Sequence, residues 1–284
     1  MPVFTTPGPI NAVLDLGVGN TTIVASERGD TAVEVRPADP NNPNDVKAAE
    51  ATRVTFDDGT LRVVGHKPKW YTSAKKSENV LVRVELPAGS AVRATSPFGD
   101  FDLGGSFGAV SLDTAFGEIR VEQAESLNAK TAMGQVDVGH VAGRAEVQTS
   151  SGTLRVHRVG GEAVLKNTNG TSHIGRVDGD ARVTNANGDI FVDYAAAGVT
   201  AKTANGKIRL DHVESGDIEA LTAVGTVDVA VLRGVPAHLD VATTIGRVYN
   251  ELEAGAAPAP GERSVRLRLR STTSDITVRY AEEG

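Results

Sequence analysis

The sequence has no cysteine, few aromatic residues and no long apolar run, and each absence excludes a class of protein. Zero Cys in 284 residues excludes disulfide bonds, thiolate catalysis and cysteine-based zinc sites. Only 4% of the residues are aromatic, which favours thin, β-rich packing over a core of large rings. The sequence contains no run of about 18 consecutive apolar residues, so we predict no transmembrane helix. Because the N-terminus also lacks the segments of a secretory signal, we expect a cytoplasmic protein.

The sequence also has little positive charge and no nucleotide-binding motif, and these absences argue against nucleic-acid binding and nucleotide-dependent catalysis. The net charge of -7 makes nucleic acid an unlikely partner, because phosphate binding needs clustered cations. No P-loop, nucleophile elbow or dinucleotide fingerprint occurs. We therefore expect no cofactor, no metal and no catalytic residue.

Glycine is abundant, and it recurs within one repeated phrase. A polar residue, usually Thr, stands three places before a Gly, and a short alternating strand follows, most clearly in 149–156. Successive copies are 17 to 21 residues apart, and this regular period predicts a repeat architecture. The glycines of the phrase are Gly99, Gly117, Gly134, Gly152, Gly170, Gly188, Gly206, Gly225 and Gly246.

Aligned copies of the phrase form columns with distinct chemistry. The positions five before, two after and four after each Gly are almost all aliphatic, as in Leu165, Ile190 and Val192, and are expected to face inward. The position three after Gly is mostly charged and is expected to face water. The Thr or Asn three before Gly is expected to form hydrogen bonds at an inner corner. Like residues in like positions favour a parallel β-solenoid over an antiparallel meander, whose apolar face would need a second layer.

The sequence therefore predicts an all-β chain: a parallel β-solenoid, or β-helix, of about 18-residue coils. Residues 1–90 are predicted to form an N-terminal β-rich cap with a hairpin turn at 57–59 and a short helix over 46–51. Residues 91–252 hold the solenoid repeats. Residues 253–284 form a C-terminal loop and a capping coil, in which Ser274 stands in place of the repeat Gly.

Three stretches resemble a known family: 7–10 (Pro-Gly-Pro-Ile), 86–90 (Leu-Pro-Ala-Gly-Ser) and 203–210 (Thr-Ala-Asn-Gly-Lys-Ile-Arg-Leu). On these motifs the chain resembles the bacterial DUF4097 proteins, adhesin-like or toastrack-like β-strand repeat proteins common in actinobacteria. The resemblance covers nearly the whole chain. It implies a β-helix-like fold and a link to the bacterial envelope and its stress responses, and it implies no catalytic residue.

Two kinds of side-chain chemistry remain as alternatives. His140 and His212 share a column but lie four coils apart, roughly 19 Å at about 4.8 Å per coil, too far to share a metal. A carbohydrate-active β-helix enzyme would need convergent carboxylates with aromatics nearby, and Phe191 and Tyr194 are the aromatics available. The candidate carboxylates are Asp178, Asp180, Asp189, Asp193, Asp211 and Glu214, and we expect them to be solvated turn acids.

The most unusual stretch, 66–76, holds the single Trp, a Tyr and four Lys of an otherwise acidic chain. Exposed aromatics among cations suit a binding surface for an acidic partner, an anionic membrane face or nucleic acid. The candidate interaction surface is Lys67, Lys69, Trp70, Tyr71, Lys75 and Lys76. The sequence thus favours a non-enzymatic scaffold for an unknown protein partner. The alternatives are the carbohydrate-active enzyme, with Asp189, Asp193 or Asp211 as catalytic groups, and a protein that self-assembles through its coil ends.

Overall fold

A computed structural model describes residues 1–65, 78–253 and 263–282, and β-strands make up most of these residues. The chain divides into two compact units, Met1–His140 (unit 1) and Val141–Gly284 (unit 2). In each unit, strands from successive coils pair in parallel, which confirms the predicted β-solenoid. The division of the chain at residues 90 and 252 stays a prediction.

The strands that begin in unit 1 include two long ones that each pass through a bend and contribute to two coils. They are β1 (Val3–Thr5), β2 (Asn11–Asp15), β3 (Thr21–Ser26), β4 (Asp30–Pro37), β5 (Arg53–Asp57), β6 (Thr60–Val64), β7 (Val80–Pro87), β8 (Ala91–Phe98), β9 (Phe101–Phe116), β10 (Ile119–Met133) and β11 (Val136–Val141). The one helix in the described residues, α1 (Pro43–Ala51), is far too short to cross a membrane.

The strands of unit 2 come in pairs, one pair for each coil. They are β12 (Ala145–Ser151), β13 (Leu154–Val159), β14 (Ala163–Asn169), β15 (Ser172–Val177), β16 (Ala181–Asn187), β17 (Ile190–Ala195), β18 (Val199–Asn205), β19 (Ile208–Val213), β20 (Gly216–Val224), β21 (Val227–Val231), β22 (Ala237–Thr243), β23 (Val248–Asn250), β24 (Val265–Ser271) and β25 (Ile276–Tyr280).

The inward columns are buried as the repeat predicts. Leu165, Ile190 and Val192 have at most 1% of their surface exposed, whereas the charged column between them faces solvent. Equivalent residues lie directly beside each other in neighbouring coils, as Ile190 does beside Ile208. Each coil thus covers the aliphatic residues of the next, and this burial is the main source of stability for the stack.

The polar corner column forms the hydrogen bonds expected of it. Asn185 is 5% exposed, and its Nδ2 donates to the carbonyl of Gly170, one coil earlier, at 3.1 Å. Thr203 donates in the same way to the carbonyl of Gly188 at 3.1 Å. A buried corner therefore leaves few backbone carbonyls unsatisfied.

The N-terminal region contributes coils as well as a cap. Strands β2 and β3 pair in parallel with β8 and β9 on one side and with β6 and β7 on the other. The antiparallel strands β5 and β4 then close the ends of the two sheets. The predicted hairpin turn is confirmed, with Asp58 and Gly59 at positive φ. The helix begins earlier than predicted, because Asn42 caps it and Pro43 suits its first turn.

The C-terminal strands form a coil, as predicted, but this coil is not the outermost one. Strands β24 and β25 lie between the coil of β20 and β21 and the coil of β22 and β23. The reason is visible in the side chains: Leu267 and Leu269 are fully buried, whereas Leu239 and Val241 of β22 are only half-buried. The more apolar coil is thus covered on both sides, and β22 and β23 have no strand on their outer side within the described residues.

Candidate interaction surfaces

The cationic surface predicted from the sequence cannot be compared with the structure. Its six residues, Lys67, Lys69, Trp70, Tyr71, Lys75 and Lys76, lie outside the described residues. The surface therefore stays a prediction.

The carboxylates of the alternative enzyme site are held as hydrogen-bond acceptors. Asp178 forms ion pairs with Arg176 at 2.7 Å and with Arg158 at 3.2 Å. The hydrogen bond from Arg176 is the largest influence on Asp178 and lowers the pKa of its carboxyl. The general acid of a glycosidase needs the opposite, a raised pKa. Asp178 therefore lacks the electrostatics of a catalytic acid.

The other carboxylates in this set also have donors. Oδ1 of Asp189 accepts from the backbone N–H of Lys207 at 2.8 Å, in the next coil. Asp180 and Asp211 are engaged by the Gly198 N–H at 3.0 Å and by Arg209 at 2.7 Å. The contacts of Asp180 and Asp189 tie neighbouring coils together, whereas Arg209 and Asp211 lie on one strand, β19. These contacts support the expectation of structural, solvated acids.

A groove lies across the outer face of four parallel strands in unit 2, β13, β15, β17 and β19, with a volume of about 350 Å³. We name it the Phe191 groove; its lining residues are Thr153, Arg155, Thr171, His173, Phe191, Asp193, Arg209 and Asp211. The residues three after the repeat Gly supply its centre, because this column points outward on every coil. Phe191 is half-buried there, among polar neighbours.

Two of the polar groups beside Phe191 are fixed by their neighbours. The His173 ring meets Phe191 edge-on, with centroids 6.3 Å apart, and its Nε2 lies 2.8 Å from Asp193. Arg209 pairs with Asp211, and this hydrogen bond raises the pKa of the guanidinium. Arg155, by contrast, has no ion-pair partner among the described residues. The groove thus combines an aromatic face with a cation that is free to pair with a ligand.

A second aromatic cluster beside the groove is closed by its own contacts. The Tyr194 hydroxyl donates to Glu214, and the Arg176 guanidinium stacks 4.2 Å above the Tyr194 ring. The hydrogen bond to Glu214 and burial raise the pKa of Tyr194. His212 stacks with the same ring, with centroids 6.3 Å apart. The ring and the hydroxyl of Tyr194 are thus both engaged by neighbouring side chains.

Sequence reasoning assigned the groove's central column to solvent and did not identify it as a site. It named Phe191, Asp193 and Asp211, but not Arg155 or His173. The signal was present in the column itself, which places an aromatic residue between cationic or titratable neighbours. For metals, no group of three ligating side chains comes together within residues 1–65, 78–253 and 263–282.

Comparison with known proteins gives a family and several distant structures, three of which are described below. A candidate adhesin from Bacteroides fragilis NCTC 9343 is 13% identical, covering 98% of this chain and 95% of that chain, with a TM-score of 0.40. A candidate adhesin from Parabacteroides merdae ATCC 43184 is 13% identical, covering 99% and 95%, with a TM-score of 0.32. A candidate cell-adhesion protein from Clostridium sporogenes ATCC 15579 is 7% identical, covering 98% of each, with a TM-score of 0.20.

No curated protein matches the chain. The profile of the Toastrack DUF4097 family matches residues 13–235, most of its length. The chain therefore belongs to the Toastrack DUF4097 family.

Proposed function

We propose that this chain is a non-enzymatic β-solenoid scaffold that binds a protein partner in the Phe191 groove. The observation that carries the proposal is the groove itself: it holds a half-buried aromatic ring and, two strands away, the guanidinium of Arg155, which has no ion-pair partner among the described residues. Aromatic and Arg side chains are the usual anchors of protein interfaces, where they supply most of the binding energy. The engaged carboxylates around the groove support binding over hydrolysis.

The groove's chemistry defines the partner segment that would fit. Phe191 offers an apolar face, and Arg155 needs an acidic side chain to replace the water it loses on binding. The stacked strands below are rigid, so little ordering cost is expected on this side of the interface. The partner is thus a protein segment with an apolar side chain next to a carboxylate.

The test is a quantitative pull-down from a lysate of the native host with four variants of the chain. Phe191→Ala and Arg155→Glu should each reduce the recovered partner about tenfold, the usual loss for an interface anchor. Arg182→Glu is the matched control, because Arg182 is exposed on the other sheet of the same unit. Trp70→Ala tests the cationic surface predicted from the sequence. Equal recovery with Phe191→Ala and Arg182→Glu would refute the groove.

Self-assembly through a coil end is a second candidate, and the edge of β22 and β23 favours it. Ile245, Val248 and Tyr249 are 66%, 44% and 44% exposed there, beside strands whose outer edge has no partner in the described part of the chain. Such edges invite pairing with another strand. Light scattering across a wide concentration range should show association that Val248→Lys abolishes and that Val224→Lys, a similarly exposed corner residue, leaves intact. A monomer at every concentration contradicts this candidate.

Two finer features of the proposal come from the sequence alone. A role in the bacterial envelope or its stress responses is supported by the family resemblance. The cytoplasmic location also stays a prediction, and fractionation of host cells with an antibody against the chain would test it.

A further inference from the structure

Four apolar side chains line one corner of unit 1, one from each of four successive coils. We call Val18, Phe98, Phe116 and Met133 the corner ridge. The last three are 48%, 45% and 54% exposed, and Val18 is half-buried. Each stands one place before a glycine of the stack, at the bend between the two strands of its coil. Single exposed apolar residues are ordinary, but a contiguous row of them marks an interaction surface.

The corner ridge is held rigidly by the backbone beneath it. The carbonyls of Phe98, Phe116 and Met133 accept hydrogen bonds from the N–H groups of Gly19, Gly99 and Gly117, each in the preceding coil, at 2.9, 2.9 and 3.0 Å. The rings of Phe98 and Phe116 stack nearly parallel, with centroids 5.1 Å apart and planes 6° apart. A partner would therefore meet a preformed surface and would not have to order it.

The fold itself does not require apolar residues at this position. In unit 2 four successive coils hold polar residues in the same column, Ser151, Asn169, Asn187 and Asn205, before the apolar Val224 and Ile245. The amides of the three Asn residues form a ladder, with Nδ2 to Oδ1 distances of 3.0 and 2.8 Å. At this corner, polar side chains can thus form hydrogen bonds with each other, and no row of exposed apolar residues results. The Phe and Met residues of unit 1 need another explanation, and a bound partner supplies one.

An acidic groove runs beside the corner ridge and restricts what that partner can be. Its volume is about 250 Å³, and its lining includes Asp100, Asp102 and Glu118 with Arg120. Asp102 and Glu118 are exposed. A second copy of the same surface would bring carboxylates against carboxylates, and an anionic membrane would be repelled in the same way. A partner with cationic side chains beside apolar ones fits both the acidic groove and the corner ridge.

We infer that the corner ridge and the acidic groove together form a docking surface for a lysine- or arginine-rich protein segment that carries apolar side chains. Its apolar side chains would cover Phe98, Phe116 and Met133, and its cations would lie along Asp100, Asp102 and Glu118. This surface is independent of the Phe191 groove. Failure of one proposal therefore leaves the other standing.

The test measures binding of short fluorescent peptides to the full chain by anisotropy. In the main probe, lysine alternates with leucine and tryptophan; in two control peptides, serine replaces the apolar residues or glutamate replaces the lysines. We expect only the main probe to bind. Phe116→Asn, which copies the residue type of the unit 2 ladder, and Glu118→Lys should each weaken binding about tenfold. Val224→Asn, in the same column of unit 2 and 51% exposed, is the matched control and should leave binding unchanged.

Three results would overturn the inference. Equal binding of the lysine–serine peptide would show that charge alone attracts the probe. Equal affinity for the Phe116→Asn and Val224→Asn proteins would show that the corner ridge is not the contact. A wild-type dimer in light scattering that Phe116→Asn dissociates would make a second copy the occupant. Far-UV circular dichroism confirms that each variant keeps its β-structure.

Discussion

The stack of glycines at one corner of each coil gives the sharpest prediction from this structure. At Gly188 a Cβ atom would lie 2.1 Å from the carbonyl oxygen of Gly170, and φ is 135°. At Gly117 a Cβ would be equally close, 2.1 Å from the carbonyl oxygen of Gly99, but φ lies outside the left-handed region. Gly59 has a φ of 70° with open space around it, and Gly8 has neither constraint.

Replacing these four glycines with alanine, one at a time, separates the cost of the steric clash from the cost of backbone strain at positive φ. Gly8→Ala should be neutral or slightly stabilising, by up to about 1 kcal/mol, because it only restricts the unfolded chain. Gly59→Ala adds backbone strain of about 1–2 kcal/mol. Gly117→Ala adds the clash without that strain. Gly188→Ala adds both.

The clash displaces a carbonyl that other groups depend on. The oxygen of Gly170 accepts from Asn185 at 3.1 Å, and the N–H of Gly188 donates to Asn205 at 2.7 Å. Losing both hydrogen bonds costs about 1–3 kcal/mol, and strain at the positive φ adds about 1–3 kcal/mol. We therefore expect Gly188→Ala to lower the free energy of unfolding by roughly 2–6 kcal/mol.

Urea titration followed by far-UV circular dichroism measures these differences, and melting temperatures give an independent check. A loss of about 4 kcal/mol corresponds to a drop in Tm of roughly 7 °C in a chain of this size. The reasoning fails if Gly117→Ala and Gly188→Ala destabilise the protein no more than Gly59→Ala does. In that case the coils separate without cost, and close backbone approach is not what requires glycine.

Three further predictions follow from single contacts. Asn185→Ala should lower the free energy of unfolding by about 2–4 kcal/mol in urea titration, because it leaves buried backbone carbonyls without a donor; a loss below 1 kcal/mol would contradict this. Arg28 lowers the pKa of the Glu85 carboxyl through a hydrogen bond, so this pair stabilises the fold above the unfolded pKa of about 4 and less as pH falls. Arg28→Gln should therefore flatten the fall in Tm between roughly pH 5 and 3, and an unchanged slope would refute the coupling. Glu214→Ala should lower the raised pKa of Tyr194, so that the Tyr194 hydroxyl ionises at a lower pH in an alkaline absorbance titration.

The solenoid could be predicted because its evidence is local and repeated. The aliphatic columns that include Ile190 and Val192 are buried as expected, and the Thr and Asn column bonds at the corners as expected. A parallel coil stack places residues about 18 apart side by side, so one short phrase specifies the whole neighbourhood of each side chain. The family resemblance pointed to the same fold, and the profile match confirms it.

The candidate surfaces were harder to predict, because exposure depends on neighbours that the phrase does not specify. The column containing Phe191 was expected to face solvent, and only the stacked strands show that His173 and Arg209 flank the ring, with Arg155 lining the same groove two strands away. The row of Phe98, Phe116 and Met133 was also present in the sequence. Whether such a column is covered at a bend depends on how the coils turn, and the structure leaves it exposed.

The sequence by itself determined the period, the inward and outward faces, and the need for glycine at one corner. These follow from residues within a single coil and its repetition. Only the tertiary structure decided the order of the coils at both ends, where β2 and β3 lie between later strands and β24 and β25 lie inside β22 and β23. The physical reason is that any coil edge offers the same backbone hydrogen bonds. The choice among edges therefore depends on which side chains gain most from being covered on both sides.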